Sequence, residues 1–485
     1  MSLIGQDPKE RIIERFARHV SSGKAEFFAQ AGIDFVLGRR EGPYVWDLAG
    51  HRLIDCHCNG GVFNLGHRHP RVVAALKRAL DELDIGNHHL MSEHRALLAE
   101  RLSRVSPGDL KRVVFGVGGG EAIDTAVKLA RAHTRRPGVI SALGGYHGHT
   151  GFALAAGDEQ YRAPFGPMAP GFSQVPFGDL SALEAAVDDS TAAVILETIP
   201  ATLGMPIPPD GYYRGVRELC DRFAVVMIAD EVQTGLGRCG RVWGIDTYEV
   251  VPDIIVTGKG LSGGVYPISA VIYREHLNPF LHENPFIHIS TFGGAELGCH
   301  VALEVLSILE EPVFLEHVRR VAGLFAEGLA GLQRRYPTLL VEVRQRGMMI
   351  GLKMATEACG PLMTLAGFRH GLLTIYANND RSVSQLLPPL TIDEQQVGEV
   401  LQALDGMLAW LERFCQAGCG AVRRGWWRPR RYALRSGSSP PPLPAHKGRF
   451  LGVCRTWREA IDPPPGWLRG GAPHPPTPSP TRLWR

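Results

Sequence analysis

Two short apolar runs each end in a residue that could do chemistry. Ala224-Val225-Val226-Met227-Ile228-Ala229 is rich in β-branched residues and stops at Asp230-Glu231, followed by Val232-Gln233-Thr234-Gly235. A strand buried on both faces of a parallel sheet reads this way. A carboxylate where it emerges sits at the edge where α/β proteins bind ligands. Further on, Pro252-Asp253-Ile254-Ile255-Val256-Thr257-Gly258-Lys259-Gly260 repeats the grammar and delivers a lone lysine between glycines. One carboxylate and one amine so placed suit pyridoxal phosphate, which needs a Schiff-base lysine and an acidic partner for its pyridinium nitrogen.

Four other segments have a weaker signal each. Phe115-Gly116-Val117-Gly118-Gly119-Gly120-Glu121-Ala122 reads as strand, glycine loop and helix start. Backbone N–H groups of Gly119 and Gly120 could close on a phosphate at the positive helix end, although a bare glycine turn reads the same way. Tyr146-His147-Gly148-His149 follows the next strand. Its aromatic ring could stack on a flat heteroaromatic ring or simply be packed. With no cysteine or carboxylate nearby, the two histidines are not read as a metal site, and no metal is expected at Cys56-His57-Cys58 either. Glu197 closes the run Ala193–Leu196 as an active-site acid or a helix cap, and Ser290-Thr291-Phe292-Gly293-Gly294 is a hydroxylic loop or only a turn.

These residues need a scaffold. From about Val113 to Ala270 apolar strands alternate with helical stretches, which predicts an α/β fold with a mainly parallel sheet and helices on both faces. Strands are expected at Val113–Phe115, Val139–Leu143, Ala193–Leu196, Val225–Ala229, Ile254–Thr257 and Ile268–Ile272. A hairpin is expected at Tyr44–Asp47 with Arg52–Asp55. A long helix should begin near Ala302 and continue past Val318. Strands Leu339–Arg344 and Met349–Met354 and a closing helix Asp393–Phe414 make a smaller α+β domain. The division expected is 1–60 as an N-terminal segment joining the small domain, 61–310 as the large domain, 311–420 as the small domain and 421–485 as a tail.

The tail differs in composition: it holds thirteen Lys/Arg, two Asp/Glu and five of the eight tryptophans, with Pro440-Pro441-Pro442 and Pro463-Pro464-Pro465 breaking any periodicity. It is expected to be disordered. The chain as a whole is 485 residues with 45% apolar residues, enough for more than one domain. No apolar run approaches a membrane span, no secretory signal is read at the N-terminus, and the scattered cysteines fit reduced thiols in a cytoplasmic protein.

Taken together, Asp230–Arg238, Thr257–Gly264 and Ser290–Gly294 resemble the class III aminotransferases, pyridoxal-phosphate enzymes of fold type I, the aspartate-aminotransferase-like fold. Gly66–Pro70, Tyr146–Gly148, Gly347 with Gly351, and Pro388-Pro389-Leu390 match further family positions in order, from about Gly42 to Leu411. The resemblance implies that Lys259 forms the Schiff base with pyridoxal 5′-phosphate and shuttles the proton, while Asp230 pairs with the pyridinium nitrogen. Val232 and Tyr146 would flank the ring, Gln233 would bond its phenolic oxygen, and His147 falls among the cofactor-binding positions. Gly119 and Gly120 would hold the phosphate, and Thr291 would reach it from the neighbouring subunit of a homodimer. Glu197 and Gln385 would line the substrate pocket. The implied reaction moves an amino group from a small amine or ω-amino donor to an oxo-acid acceptor with ping-pong kinetics.

The pattern departs from the family in three places. Gly118-Gly119-Gly120 lacks the hydroxyl residues usual there. In Thr198-Ile199-Pro200 the proline does not directly follow the glutamate. Gln385 stands where an arginine commonly clamps a substrate carboxylate, with Arg381 a nearby substitute. An amide cannot supply paired charged hydrogen bonds, so a substrate held otherwise is expected: a diamine, an amino sugar or a carrier-bound intermediate. A racemase, epimerase or aminomutase would keep the fold and cofactor but consume no acceptor. A non-catalytic protein binding nucleic acid through the basic tail is disfavoured, because Asp230, Gln233 and Lys259 are all retained.

Overall fold

The computed structural model describes residues 8–422, with side chains to 416. The expected tail therefore lies outside the described residues, apart from Ala421 and Val422, which prolong the helix Glu394–Val422. The chain divides into two units. In the smaller, only Ile13–Asp34 is described; there the helix Ser22–Gln30 begins at Ser21, whose hydroxyl accepts from Lys24 N at 3.2 Å. Everything below concerns the larger unit.

Its main sheet has seven strands in the spatial order Leu110–Gly116, Ser269–Arg274, Ile254–Thr257, Val226–Asp230, Thr191–Glu197, Gly138–Ala142, Phe172–Val175. Ser269–Arg274 runs antiparallel to both neighbours, and the remaining pairs are parallel. Every residue of Thr191–Glu197, Val226–Asp230 and Ile254–Thr257 is buried, which is why these strands read as unbroken apolar runs rather than alternating ones. The helix Gly119–Thr134 lays Ala122, Ile123, Ala126, Val127 and Ala130 against Val139, Ile195, Ile228 and Val256. Small alanines let it approach the sheet closely, and each buried valine or isoleucine contributes about 1.5–3 kcal/mol.

Six of these strands stand where the apolar runs predicted, with ends moved by up to three residues. The seventh, Phe172-Ser173-Gln174-Val175, is an edge strand that carries polar residues and so lacked the signal. The expected long helix is instead two, Glu296–Leu309 and Pro312–Arg335. Pro312 has no N–H to donate and disfavours helical backbone at the preceding residue, and Glu311 is accordingly extended with φ −61° and ψ 129°.

A second, four-stranded sheet is antiparallel, in the order Leu340–Arg346, Met349–Met354, Val383–Leu386, Ile375–Tyr376. Its register sets Arg344, Gly351, Gln385 and Ile375 in one row. The hairpin Tyr44–Asp47 and Arg52–Asp55 forms as expected, with an unforeseen strand Leu37–Glu41 on one side. On the other side Leu372–Leu373 pairs in parallel with Arg52–Asp55. The closing helix opens with a capping box: Gln396 N donates to Asp393 Oδ1 at 2.8 Å, and Asp393 N to Gln396 Oε1 at 3.0 Å.

Candidate active site

The carboxyl ends of the parallel strands deliver the chemistry. Glu197 and Asp230 are register partners on adjacent strands, and Asp230 pairs in turn with Val256, three residues before Lys259. Both carboxylates are buried. The Asp230 carboxylate accepts from the backbone N–H of Val232 at 3.1 Å through Oδ1. Its Oδ2 lies 2.7 Å from His147 Nδ1. Burial alone would favour a neutral imidazole at His147, but the bond to Asp230 and the charges of Asp230 and Glu197 prevail, so its affinity for a proton is raised. His147 Nε2 is buried and has no partner among the described residues.

Lys259 leaves the strand Ile254–Thr257 with φ at +38°, a left-handed conformation unusual for a side chain of its size. Backbone held this way costs about 1–3 kcal/mol and persists where surrounding structure enforces it. The enforcing contacts are visible: Ser262 Oγ donates to the Lys259 carbonyl at 2.6 Å and accepts from Gly264 N at 3.0 Å. Lys259 Nζ donates to Gln233 Oε1 at 3.0 Å. Burial lowers the lysine's proton affinity, against the pull of Asp230 and Glu197. Glu197 is driven up to about 7, chiefly by burial and further by Asp230, against the lowering effects of His147, Lys259 and the Tyr146 N–H it accepts at 2.8 Å. Tyr146 is half-buried, with its ring edge-on to His149 and Tyr161 at 5.3 and 5.7 Å between centroids.

The glycine loop opens the helix Gly119–Thr134 with no side-chain cap at Gly118. A Cβ on Gly119 would stand 3.1 Å from Val232 Cγ1, and one on Gly120 2.8 Å from Thr150 Oγ1. The helix start is therefore pressed against the segment that follows Asp230, and its N–H donors are left to backbone-only binding. Glu121 turns back to accept from Val117 N at 2.7 Å.

The structure thus brings together Gly119, Val232, Asp230 and His147, and likewise Gln233 with Lys259 and Tyr146 with Glu197. Gln385 is buried on the second sheet, and no hydrogen bond of its side chain is found among the described residues. Thr291 is exposed, and its loop packs on Phe115, with a Cβ on Gly294 falling 3.0 Å from that ring. Arg381 sets its guanidinium over the Tyr376 ring at 5.4 Å. Glu231 serves the structure instead, accepting from Thr198 Oγ1, from Thr234 Oγ1 at 2.9 Å, and from the backbone N–H of Gly244 and Ile245 at 2.8 and 2.7 Å.

One part of the site went unread in the sequence. Cys58, Asn59, Gly60 and Gly61 all have positive φ, and a Cβ on Gly60 would lie 3.5 Å from Lys259 Nζ. Asp55 Oδ1 pins this turn through the N–H groups of His57 and Cys58 at 3.0 and 2.7 Å. The strand ends at Asp55, before the cysteines, so the Cys56-His57-Cys58 run belongs to a turn rather than to a strand. Asn59-Gly60-Gly61 was the available signal, since these residues tolerate left-handed backbone.

Comparison with known proteins places the chain among aminotransferases. The chain is 61% identical over 408 residues to an uncharacterized aminotransferase of Archaeoglobus fulgidus, covering 84% of this chain and 96% of that protein. An ornithine aminotransferase of Toxoplasma gondii, described with partial occupancy of PLP at its active site, superposes with a TM-score of 0.74 at 29% identity, over 84% of this chain and 99% of the other. An (S)-enantioselective omega-transaminase of Thermomicrobium roseum gives 0.76 at 26% identity, over 82% and 98%. The family model for class-III aminotransferases matches residues 28–408, and the chain belongs to that family.

Proposed function

We propose that this aminotransferase takes an amino group from an amine or ω-amino donor and passes it to an oxo-acid acceptor in two half-reactions, with pyridoxal 5′-phosphate held at Lys259. When bound, that cofactor supplies an aldehyde for primary amines and a protonatable ring that withdraws electrons from the substrate carbon. Asp230 would hold the ring nitrogen in its protonated form. Fixed from one side by His147 and from another by its own turn, its carboxylate needs no reorganisation as charge develops. Gln233 uses its carbonyl for Lys259, which leaves its amide N–H groups to hold the cofactor's phenolic oxygen. Val232 and Tyr146 would flank the ring, and Gly119 and Gly120 would hold the phosphate through backbone N–H groups at the helix start.

Lys259 would be the base that takes the proton from the substrate carbon and returns it to the carbon on the far side of the transferred nitrogen, two bonds away. A depressed proton affinity suits that role, because an amine that stays protonated cannot accept. Glu197 and Gln385 would face the substrate. With an amide in place of a guanidinium at 385, the pocket favours donors that are not held by a carboxylate.

We also infer a homodimer. Leu90, Met91, Phe286, Ile287, Ile289 and Phe292 are exposed on two loops that Arg95 joins by donating to Gly294 O at 2.8 Å and to Leu90 O at 3.1 Å. Six large apolar side chains in solvent around Thr291 suit a surface that a second copy covers, bringing Thr291 to the neighbouring site.

The single observation that supports the reading most is the meeting of Asp230, bound to His147, with Lys259, bound to Gln233, at the ends of neighbouring strands. The test is a panel of amines added to the purified holoprotein. Donors should bleach the cofactor's visible band, and each turnover should consume one oxo acid. Product formation without acceptor consumption would instead mark an isomerase.

A further inference from the structure

A buried arginine lies one residue away from the turn that carries Lys259. Arg238 is fully buried, and no carboxylate pairs with it among the described residues. Neutral oxygens hold its guanidinium instead. Nη1 donates to the carbonyls of Pro388 at 2.5 Å and Met348 at 3.3 Å, and Nη2 donates to Asn64 Oδ1 at 2.6 Å. Its own carbonyl accepts from Met348 N at 2.8 Å. Burying a cation without a counter-ion is costly, so a pure packing role would be met more cheaply by an apolar residue.

Asn64 is the other half of the arrangement. It is buried, its carbonyl accepts from Leu390 N at 2.7 Å, and its amide stands directly behind the residue after the lysine: a Cβ on Gly260 would fall 2.7 Å from Asn64 Nδ2 and 3.2 Å from Cγ. The glycine is needed there for space rather than for its backbone, since Gly260 has no left-handed φ. A continuous path thus runs from the Pro388-Pro389-Leu390 segment, just beyond Gln385, through Arg238 to Asn64, and from Asn64 to the Lys259 turn.

We propose that Arg238 and Asn64 are positioning residues that set the Lys259 turn in register with the Pro388–Leu390 segment of the substrate side, so that the amine meets the substrate carbon at a fixed place. This rests on Lys259 being the amine that carries the cofactor. The guanidinium's fork suits the role, because it bonds three separate segments at fixed angles, which a point charge cannot do. Neither residue touches the reacting atoms; both act through the backbone of Gly260 and Lys259.

The test is a double-mutant cycle on the holoenzyme with Gly260→Ala and Asn64→Ala, reading kcat and KM for a donor and the pH midpoint of the cofactor's visible band. Cofactor content and the thermal midpoint of the cofactor-free protein serve as controls for folding. Gly260→Ala should lower kcat about ten- to a hundredfold with little change in KM, as a displaced catalytic group does. It should also move the pH midpoint of the band. Adding Asn64→Ala removes the atoms that the new methyl group strikes, so the pair should recover activity and midpoint beyond the sum of the single effects. If Gly260→Ala binds no cofactor, Arg238→Lys, which keeps the charge and loses the fork, is judged by the same split of kcat from KM and the same midpoint. Additive losses with an unchanged midpoint, or an Arg238→Lys holoenzyme identical to the parent, would overturn the proposal. Failure of the parent protein to carry cofactor on Lys259 would instead overturn the functional reading beneath it.

Discussion

Gln385→Arg should convert this enzyme's preference between donors. Position 385 lies on the strand Val383–Leu386 directly opposite Gly351, and opposed residues of an antiparallel pair share a face. A Cβ on Gly351 would touch Gly204 O, Met205 Cβ and Val383 Cγ1 at 3.2 Å, so that face looks toward the Gly204–Met205 turn. A guanidinium there can bind a carboxylate with two charge-assisted hydrogen bonds worth about 1.5–3 kcal/mol each. Against this stands Arg344, in the same row beyond Gly351 and two strand spacings away, about 10 Å. At that distance and an effective dielectric near 20 the repulsion is about 1–2 kcal/mol. Fixing the new side chain costs about 1–2 kcal/mol more. The repulsion acts with either donor and drops out of their ratio, so the remainder is about 3 kcal/mol, or about a hundredfold gain in kcat/KM for a carboxylate-bearing donor over its carboxylate-free counterpart. The assay compares ornithine with 1,4-diaminobutane, which differ only by that carboxylate, through the rate at which each bleaches the visible band. A folded, cofactor-loaded Gln385→Arg protein with an unchanged ratio would refute the reasoning.

Other perturbations have equally definite outcomes. His147→Ala deprives Asp230 Oδ2 of its 2.7 Å donor, and at about 1.5–3 kcal/mol for a bond to a charged group kcat should fall about ten- to a hundredfold, with partial rescue by His147→Asn. Thr291→Ala should weaken cofactor retention in the proposed dimer by about two- to tenfold, and equilibrium dialysis measures it. Glu231 is driven up to about 7, by burial outweighing the four donors around it. Between its ordinary range near 4.5 and 7 the native state then keeps a proton that the unfolded chain has lost. Stability of the cofactor-free protein should fall as pH rises through that window, by up to about 3 kcal/mol, and level off above it. Urea unfolding at several pH values would show this slope, and Glu231→Gln should remove its share while lowering the overall level, leaving the share of Glu197, which is also driven up to about 7.

Much of the site was legible because the parallel strands are buried on both faces. Their apolar runs end sharply, which marked Asp230 and Lys259 as lying at the sheet's ligand-binding edge, while Glu197 read equally as an active-site acid or a helix cap. The edge strand Phe172–Val175 escaped because half-solvated strands lack such runs. The break before Pro312 was readable from the proline itself, but the apolar period on both sides concealed it. The Cys58–Gly61 turn had a local signal in Asn59-Gly60-Gly61, but its approach to Lys259 and the Asn64–Arg238 contact had none, since nothing local says that residue 60 meets residue 259 or that residue 64 meets residue 238. The bond of His147 to Asp230 spans 83 residues, and only folding brings the two together.

The central claim is that the Lys259 amine, and no other, carries the cofactor. Borohydride treatment of the yellow holoprotein followed by peptide mass analysis tests it directly. One modified peptide is predicted, the one containing Lys259, with Lys259→Ala abolishing both the label and the visible band. Label on a different lysine, or none on a protein that still transaminates, would contradict the claim.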